Sequence, residues 1–249
     1  MLTHERRQKI IEYIAEFGAA SVTTLSGLLG ASESTIRRDL AELSNLGKIN
    51  KVHGGATALP QEFHNIEDTI SVKVQKNYEA KMAIAEYAAT LINDDDYVFL
   101  DAGSTTFLMA TVIKNTRATF LTNGLAQAEE LSRNGCRVMI LGGDIKNTTG
   151  AVSGAVAASN LGKYNFSKAF IGVNGVTAKQ GYTTTDTNEA TVKAVAIERS
   201  FVSYILADSS KFGRVAAVTV SPLDTSCIIC DVCRDNEIKN KTVVKEVME

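Results

Sequence analysis

The chain has 249 residues, of which 45% are hydrophobic and 22% are charged, a composition typical of one large or two smaller globular domains. No segment approaches the roughly 18 uncharged apolar residues of a membrane span, and the charged start MLTHERRQKI lacks the apolar core of a signal peptide. We therefore expect a soluble cytoplasmic protein with no membrane partner. The net charge of −2 excludes a uniformly basic protein, so any DNA contact must come from a local patch.

Three short helices are predicted near the N-terminus. Ile10, Ile14 and Phe17 recur at helical spacing in the first helix, and Gly18 ends it. A second short helix follows over residues 21–29, and a tight turn leads from it into the third. This order predicts a helix-turn-helix motif, in which the third helix of the chain lies in the major groove of DNA.

The third helix has two different faces. Ile36, Leu40 and Leu43 are spaced by four and three residues and form its apolar face, and Ser32 or Ser34 can cap its N-terminus. An ordinary amphipathic helix with a solvated outer face is one interpretation. The other is a DNA-reading helix, because hydroxyl and guanidinium groups suit phosphates and base edges. The outer face carries Ser34, Thr35, Arg37 and Arg38.

A basic, glycine-tipped stretch follows the third helix. Ile49 and Val52 can pin a small β-hairpin, which would be the wing of a winged helix. Cations in such a hairpin face a phosphate backbone well, and adjacent glycines permit a close approach. The predicted DNA-contacting residues of the wing are Lys48, Lys51, His53, Gly54 and Gly55.

Six short apolar runs, separated by predicted helices, occupy the rest of the chain. They are typical of strands buried in a mostly parallel α/β sheet, and ligands bind such sheets at the carboxyl ends of the strands. The sequence therefore predicts a winged helix-turn-helix domain at 1–57, a polar linker at 58–79 and an α/β domain at 80–249. The runs are residues 97–100, 118–121, 138–141, 168–171, 204–207 and 227–230.

The segment after the first of these strands is the best candidate for a ligand site. A glycine allows a sharp turn, and hydroxyl groups join the backbone N–H groups at the start of the next helix, as in a phosphate-binding loop. The segment lacks the lysine of a nucleotide-binding P-loop, so we predict no nucleotide cofactor. A simple helix cap is the alternative. The residues concerned are Asp101, Gly103, Ser104, Thr105 and Thr106.

Charged residues also follow two later strands. Lys211 could reach a phosphate or a sugar hydroxyl, although an exposed lysine is the alternative. Asp186 or Thr187 can cap a helix in which Glu189 and Lys193 are four residues apart. The simplest interpretation of Glu189 and Lys193 is a solvated ion pair. The functional interpretation is that Asp186 and Glu189 face sugar hydroxyls.

Three of the four cysteines form the pattern C-x-x-C-x-x-C, at Cys227, Cys230 and Cys233. Residues three apart in a strand point to opposite faces of the sheet. No fourth ligand stands at the spacing of a metal site, and no histidine is near in sequence. We therefore predict buried structural thiols and no bound metal.

The N-terminal motif resembles the DeoR-type winged helix of bacterial sugar-metabolism repressors. The resemblance lies in Ser32-x-Ser34-Thr35-Ile36-Arg37-Arg38-Asp39-Leu40 and in Val52-His53-Gly54-Gly55-Ala56. It implies that the operator is contacted by Ser32, Ser34, Thr35, Arg37 and Arg38. Because helix-turn-helix proteins usually read paired half-sites, we expect a dimer or a tetramer.

The C-terminal loops resemble the effector domain of the same family, whose fold is similar to ribose-5-phosphate isomerase and glucosamine-6-phosphate deaminase. The resemblance implies a phosphorylated sugar as effector. Within the family the chain is most similar to fructose-operon repressors, through residues 32–40 and 172–175, and this implies fructose 1-phosphate. The predicted effector-binding residues are Asp101, Gly103, Ser104, Thr105, Thr106, Asn123, Gly124, Gly143, Asn174, Asp186, Glu189, Lys193 and Lys211.

Two functions are compatible with this pattern. The first is a transcriptional repressor whose operator affinity is controlled by a sugar phosphate. The second is a sugar-phosphate isomerase or deaminase with an added DNA-binding head, in which Asp101, Asp186, Glu189 and Lys193 supply acid–base groups. No histidine lies beyond residue 64 to act as a base, and a DNA-binding head suits a sensor better than an enzyme. We therefore expect a regulator and no enzymatic activity.

Overall fold

The computed structural model describes residues 2–58 and 68–248. The chain divides into two compact units between residues 62 and 63. Among the described residues, no helix is both long enough and apolar enough to cross a membrane.

The N-terminal unit contains three helices and a three-stranded antiparallel sheet. The strands are arranged in the order β1-β3-β2, so the strand that precedes the second helix pairs with the hairpin that follows the third. The winged helix-turn-helix predicted from the sequence is confirmed, with the additional strand β1. The elements are α1 (Thr3–Phe17), β1 (Ala19–Ser21), α2 (Val22–Leu29), α3 (Glu33–Asn45), β2 (Asn50–Val52) and β3 (Gly55–Thr57).

Helix α3 is fixed at its start and along one face. Ser32 is its N-cap, and the Ser32 hydroxyl accepts a hydrogen bond from the Thr35 N–H at 3.3 Å. Ile36, Leu40 and Leu43 are buried in the core of the unit, together with residues of α1 and α2. Each such buried side chain contributes about 1.5–3 kcal/mol relative to an exposed one. The apolar face therefore holds α3 in place and leaves the opposite face to solvent.

A buried ion-pair cluster joins α1 to α3. Asp39 is 2% exposed, and its two carboxylate oxygens accept hydrogen bonds from the Arg6 Nε at 2.6 Å and the Arg7 Nε at 2.9 Å. Burial alone would raise the pKa of Asp39, but the hydrogen bonds from both guanidinium groups outweigh it and hold the pKa below its usual 3.8. The cluster therefore favours the ionised carboxylate in the folded unit.

This cluster predicts acid sensitivity of the N-terminal unit. Because the folded-state pKa of Asp39 is lower than the unfolded value, its stabilisation is fully present above about pH 4. It is lost as the pH falls through the folded-state pKa. We expect thermal unfolding between pH 5 and pH 3 to show this loss in the wild type and much less of it in Asp39→Asn. An equal loss in both proteins would contradict the assignment.

The C-terminal unit is built on a seven-stranded parallel sheet in the order β15-β14-β12-β9-β4-β5-β6, with every neighbouring pair parallel. A small antiparallel sheet, β10-β11-β13, and the hairpin β7-β8 are added to it. The strands are β4 (Tyr97–Leu100), β5 (Thr119–Thr122), β6 (Arg137–Ile140), β7 (Asp144–Lys146), β8 (Ala151–Ser153), β9 (Phe166–Gly172), β10 (Gly175–Thr177), β11 (Gly181–Thr184), β12 (Ser200–Leu206), β13 (Val218–Ser221), β14 (Cys227–Cys230) and β15 (Val244–Glu246).

Helices cover both faces of the parallel sheet. Residues of α5 and α6 pack on one face around Phe170, and residues of α8 and α9 pack on the other face around Phe99 and Ile171. The mostly parallel α/β domain predicted from the sequence is therefore confirmed. The helices are α4 (Ile70–Gln75), α5 (Tyr78–Thr90), α6 (Ser104–Val112), α7 (Leu125–Arg133), α8 (Ala155–Leu161), α9 (Thr187–Glu198) and α10 (Asn236–Lys241).

The stretch predicted as a linker, residues 58–79, contains a short helix. Helix α4 lies within it, and α5 begins at Tyr78. Val74 packs against the core that α5 and α6 share, which explains why this segment is helical. A six-residue helix with one inward side chain has too few positions to show a helical period in the sequence.

None of the four cysteines forms a disulfide bond. Cys136, Cys230 and Cys233 are buried and Cys227 is half-buried, all as free thiols. Burial raises the pKa of the Cys230 thiol to about 12. This thiol is therefore protonated and behaves as a small apolar group.

Candidate DNA-binding surface and effector site

The outer face of α3 carries the side chains expected to contact DNA. Ser32, Ser34, Arg37 and Arg38 are exposed, and Thr35 is half-buried. Arg37 forms an exposed ion pair with Glu33 at 2.9 Å, whereas the Arg38 side chain makes no hydrogen bond or ion pair with another described residue. The hydroxyls at the helix start bond to one another, with the Ser32 Oγ 2.9 Å from the Ser34 Oγ.

The wing adds exposed cations but differs from expectation at one glycine. Lys48, Lys51, His53 and Gly54 are exposed, and Gly54 has a φ of +80° at the turn. Gly55 is buried, and a Cβ placed on it would meet the backbone oxygen of β1 at 2.2 Å. The need for glycine at position 55 therefore comes from packing inside the unit and not from an approach to DNA.

The carboxyl ends of the parallel strands form one edge of the sheet in the C-terminal unit. Asp101 follows β4 at this edge and is 1% exposed. Its Oδ2 accepts hydrogen bonds from the Gly172 N–H at 3.0 Å and from the Lys193 ammonium at 2.5 Å. Asp101 thus ties together the loops after β4 and β9 and the side of helix α9.

The predicted phosphate-binding loop is partly used by the fold itself. The Thr106 hydroxyl donates to the Asp101 carbonyl and accepts from the Gly103 N–H at 2.8 Å, and Thr106 is fully buried. Thr105 is also buried, whereas Ser104 is half-buried. The first turn of α6 and the Ser104 hydroxyl are therefore the groups that can face a ligand, and Thr106 shapes the loop.

The amide predicted in the next loop acts as a brace. The Asn123 Oδ1 accepts from the Ala102 N–H at 2.9 Å, and its Nδ2 donates to the Val152 carbonyl at 3.1 Å. A Cβ on Gly124 would lie 2.0 Å from the side-chain oxygen of Gln127. Both residues therefore hold neighbouring loops in position.

Two other predicted residues are likewise occupied by the fold. A Cβ on Gly143 would lie 2.8 Å from the Cβ of Ala157, so glycine is needed for packing. The Asn174 Oδ1 accepts from the Thr184 hydroxyl at 2.8 Å, which joins the loop between β9 and β10 to the end of β11. Both residues therefore contribute to packing and loop geometry.

The start of α9 carries a cluster of charged side chains, and the sequence predicted some of its members but not their partners. Asp186 is the N-cap, and its Oδ1 accepts from the Glu189 N–H at 3.0 Å. Glu189 and Lys193 are both buried, so they are not a solvated pair. The Glu189 Oε1 contacts the Lys146 ammonium of β7 at 2.9 Å, and the Asp186 Oδ2 lies 3.4 Å from it.

A second charged cluster lies at the end of β12. Asp208 is buried, and its Oδ1 accepts from the Asn77 amide at 2.9 Å, while its Oδ2 is buried without a hydrogen-bond partner among the described residues. Burial lowers the pKa of Lys81 to about 8, and Asp208 opposes this shift. Burial also lowers the pKa of Lys211. Lys211 also lowers the pKa of Lys81, and Lys73 and Lys76 lower the pKa of both lysines.

Among the described residues, this second cluster contains more lysines than carboxylates. Lys81 and Lys211 are buried near Asp208, whereas Lys76 is exposed and pairs with Asp68 at 2.7 Å. A bound anion would relieve the repulsion between the buried ammonium groups. Asp208 and Asp101 end strands that are separated by β9 alone, which places them about 10 Å apart along one edge. Because Lys193 of α9 pairs with Asp101, the α9 cluster and the cationic cluster lie along the same edge of the sheet.

Lys81 and Lys146 were missed in the sequence. Lys81 lies at helical spacing from the buried residues Ile84, Ala85 and Ala88, so a lysine on an apolar helix face was the available signal. Lys146 gave no signal, because its partner Glu189 is 43 residues away.

Two family models match the chain. The DeoR-like helix-turn-helix domain matches residues 6–62, and the DeoR C terminal sensor domain matches residues 76–232. The uncharacterised HTH-type transcriptional regulator FruR of Bacillus subtilis (strain 168) is 38% identical over 251 residues, with 99% of each chain covered. The lactose phosphotransferase system repressor of Streptococcus mutans is 32% identical, with 95% of each chain covered. A solved ribose 5-phosphate isomerase A from Methanocaldococcus jannaschii aligns over 55% of each chain, at a TM-score of 0.42 and 16% identity.

Proposed function

The chain belongs to the DeoR family of transcriptional repressors of sugar-related operons, and from this premise we propose that it represses a fructose-utilisation operon. We propose that repression is controlled by a phosphorylated sugar such as fructose 1-phosphate. The N-terminal unit binds double-stranded operator DNA through the outer face of α3 and the wing. We propose that the protein acts in the cytoplasm, where it binds its operator DNA.

The observation that carries the effector proposal is the cationic cluster at the carboxyl edge of the sheet. Lys81 and Lys211 are both desolvated by burial, and the Asp208 carboxylate interacts with each of them. A phosphate group fits such a cluster, and the first turn of α6 adds backbone N–H donors. The carboxylates of Asp186 and Glu189, at the other end of the same edge, suit the hydroxyl groups of a sugar.

Regulation requires that the effector binds one arrangement of the protein better than another. If the arrangement that cannot bind the operator has the higher affinity for the sugar phosphate, the effector lowers operator affinity. We propose that two or four copies present paired DNA-binding units, because helix-turn-helix proteins read half-sites one helical turn apart. The effector then changes how those units are paired.

The alternative is a sugar-phosphate isomerase or deaminase. An enzyme of this kind needs a group that is free to take a proton from the substrate. Asp101 and Lys193 are joined in a buried ion pair, and Glu189 is paired with Lys146. These contacts favour a binding site over a catalytic one, and we propose that the chain is not an enzyme.

The proposal is tested by operator binding at fixed salt with a panel of sugar phosphates. Fructose 1-phosphate, fructose 6-phosphate and tagatose 6-phosphate are titrated against the wild type and Lys211→Met. We expect one of them to change the operator affinity of the wild type and to have little effect on Lys211→Met, with operator affinity in its absence unchanged. A panel that leaves wild-type affinity unaltered would refute the effector, and turnover of any of these sugars would favour the enzyme.

A further inference from the structure

Lys146 lies on the hairpin β7-β8, which is held against the loop after β5. The Val152 N–H of β8 donates to the Asn123 carbonyl at 2.6 Å, and the Asn123 amide returns a hydrogen bond to the Val152 carbonyl at 3.1 Å. Ile145 and Lys146 are neighbours on one strand, so their side chains point to opposite sides. Ile145 is 54% exposed, and Lys146 points toward α9.

The Lys146 ammonium group contacts one oxygen of each of two carboxylates, those of Glu189 and Asp186. It contacts the Glu189 Oε1 and the Asp186 Oδ2, while the Asp186 Oδ1 is used by the Glu189 N–H. The Glu189 Oε2 accepts no hydrogen bond from a described residue. Glu189 is therefore fixed with one oxygen paired and the other available as an acceptor.

We propose that Lys146 is a positioning residue of the effector site, which holds Glu189 and Asp186 as acceptors for the hydroxyl groups of the phosphorylated ligand. This inference rests on the proposed function. Without the ammonium group, two carboxylates at one helix start repel each other, and the buried Glu189 loses its counter-charge. The hydroxyl end of the site then loses its geometry, while the cationic cluster around Lys81 and Lys211 stays intact.

Removing the Lys146 ammonium group should affect the binding of a sugar phosphate and of inorganic phosphate differently. A general loss of stability would weaken both. In Lys146→Met, affinity for the sugar phosphate falls at least about tenfold, because hydrogen bonds to a charged acceptor are lost. Affinity for inorganic phosphate, which needs only the cationic cluster, stays within about twofold of the wild type. Lys146→Arg keeps the charge and restores most of the sugar-phosphate affinity.

Lys168→Met is the matched control. The Lys168 ammonium pairs with Asp96 at 2.5 Å and its side chain is 16% exposed, against 23% for Lys146. Lys168 lies near the start of β9 and Asp96 just precedes β4, so this pair is at the opposite edge of the sheet. Removing it disturbs a comparable ion pair without touching the effector site, and ligand affinities should stay at wild-type values.

The experiment is calorimetric titration of the full-length chain and the three variants. The probes are fructose 1-phosphate, fructose 6-phosphate and tagatose 6-phosphate, and inorganic phosphate is measured by competition. If the wild type binds none of the sugars, the proposed function fails and the role of Lys146 fails with it. If the wild type binds a sugar, the role of Lys146 alone is refuted by any of three results. These are unchanged affinity in Lys146→Met, equal loss of sugar phosphate and inorganic phosphate, or the same loss in Lys168→Met.

Discussion

Replacement of Arg38 with alanine is expected to weaken operator binding about 5- to 150-fold, because a side chain that forks onto a base edge contributes about 1–3 kcal/mol of discrimination. Arg38 is exposed on the outer face of α3 and is not engaged by another described residue. Its planar guanidinium can form two parallel hydrogen bonds without breaking an existing one. Gel-shift titration at fixed salt measures the loss.

Arg37 is expected to show a smaller loss. Its guanidinium is paired with Glu33 at 2.9 Å, one turn earlier, and must give up this contact to reach DNA. An exposed helical pair of this kind is worth about 0.3–0.5 kcal/mol. The loss of binding free energy in Arg37→Ala is therefore the free energy of the DNA contact minus the free energy that the wild type spends in breaking the Arg37–Glu33 pair.

The matched control for the arginine variants is Arg133→Ala on α7. Arg133 forms an ion pair with Glu129 at 2.7 Å, with the same four-residue spacing and a similar exposure, but in the C-terminal unit. This variant should keep wild-type operator affinity. Sugar-phosphate affinity should be unchanged in all three variants. A loss of operator binding in Arg133→Ala, or none in Arg38→Ala, would refute α3 as the reading helix.

The N-terminal unit was predictable because its signals are local. The spacing of Ile36, Leu40 and Leu43 is read within one helix, and Gly18 ends α1 at the predicted position. Strand β1 was missed because it has three residues, and its pairing with β3 joins segments 36 residues apart at Ala20 and Ala56. The same long-range contact explains why Gly55 was assigned to DNA instead of to packing.

The parallel sheet was predictable for a similar reason, since buried central strands are continuous apolar runs. Strand β15 escaped because it is a short edge strand with the sequence Val-Lys-Glu. Sequence spacing showed which strand ends are polar. It did not show which of those polar side chains form hydrogen bonds within the fold and which face solvent. Thr106 and Asn123 are examples, since their hydrogen bonds go to backbone groups of neighbouring loops. Asp208 escaped because its hydrogen-bond partner Asn77 is 131 residues away in the sequence.

Replacement of Lys193 with methionine is expected to lower the free energy of unfolding of the C-terminal unit by about 3–5 kcal/mol, the usual cost of breaking a buried ion pair on one side. Asp101 would lose its counter-charge while almost fully buried, and would keep the hydrogen bond from the Gly172 N–H. Urea unfolding measures the change. Lys239→Met is the control, because its ion pair with Glu246 is one-third exposed and should cost at most about 1 kcal/mol.

The double variant Asp101→Asn with Lys193→Met separates stability from function. Removing both charges removes the uncompensated carboxylate, so much of the lost stability returns, as is common when a buried pair is replaced as a whole. Sugar-phosphate binding should not return, because Asp101 joins the loops after β4 and β9 to α9 through its charge. A double variant that binds the effector normally would show that this ion pair serves the fold alone. A single variant no less stable than Lys239→Met would show that the pair contributes little to either.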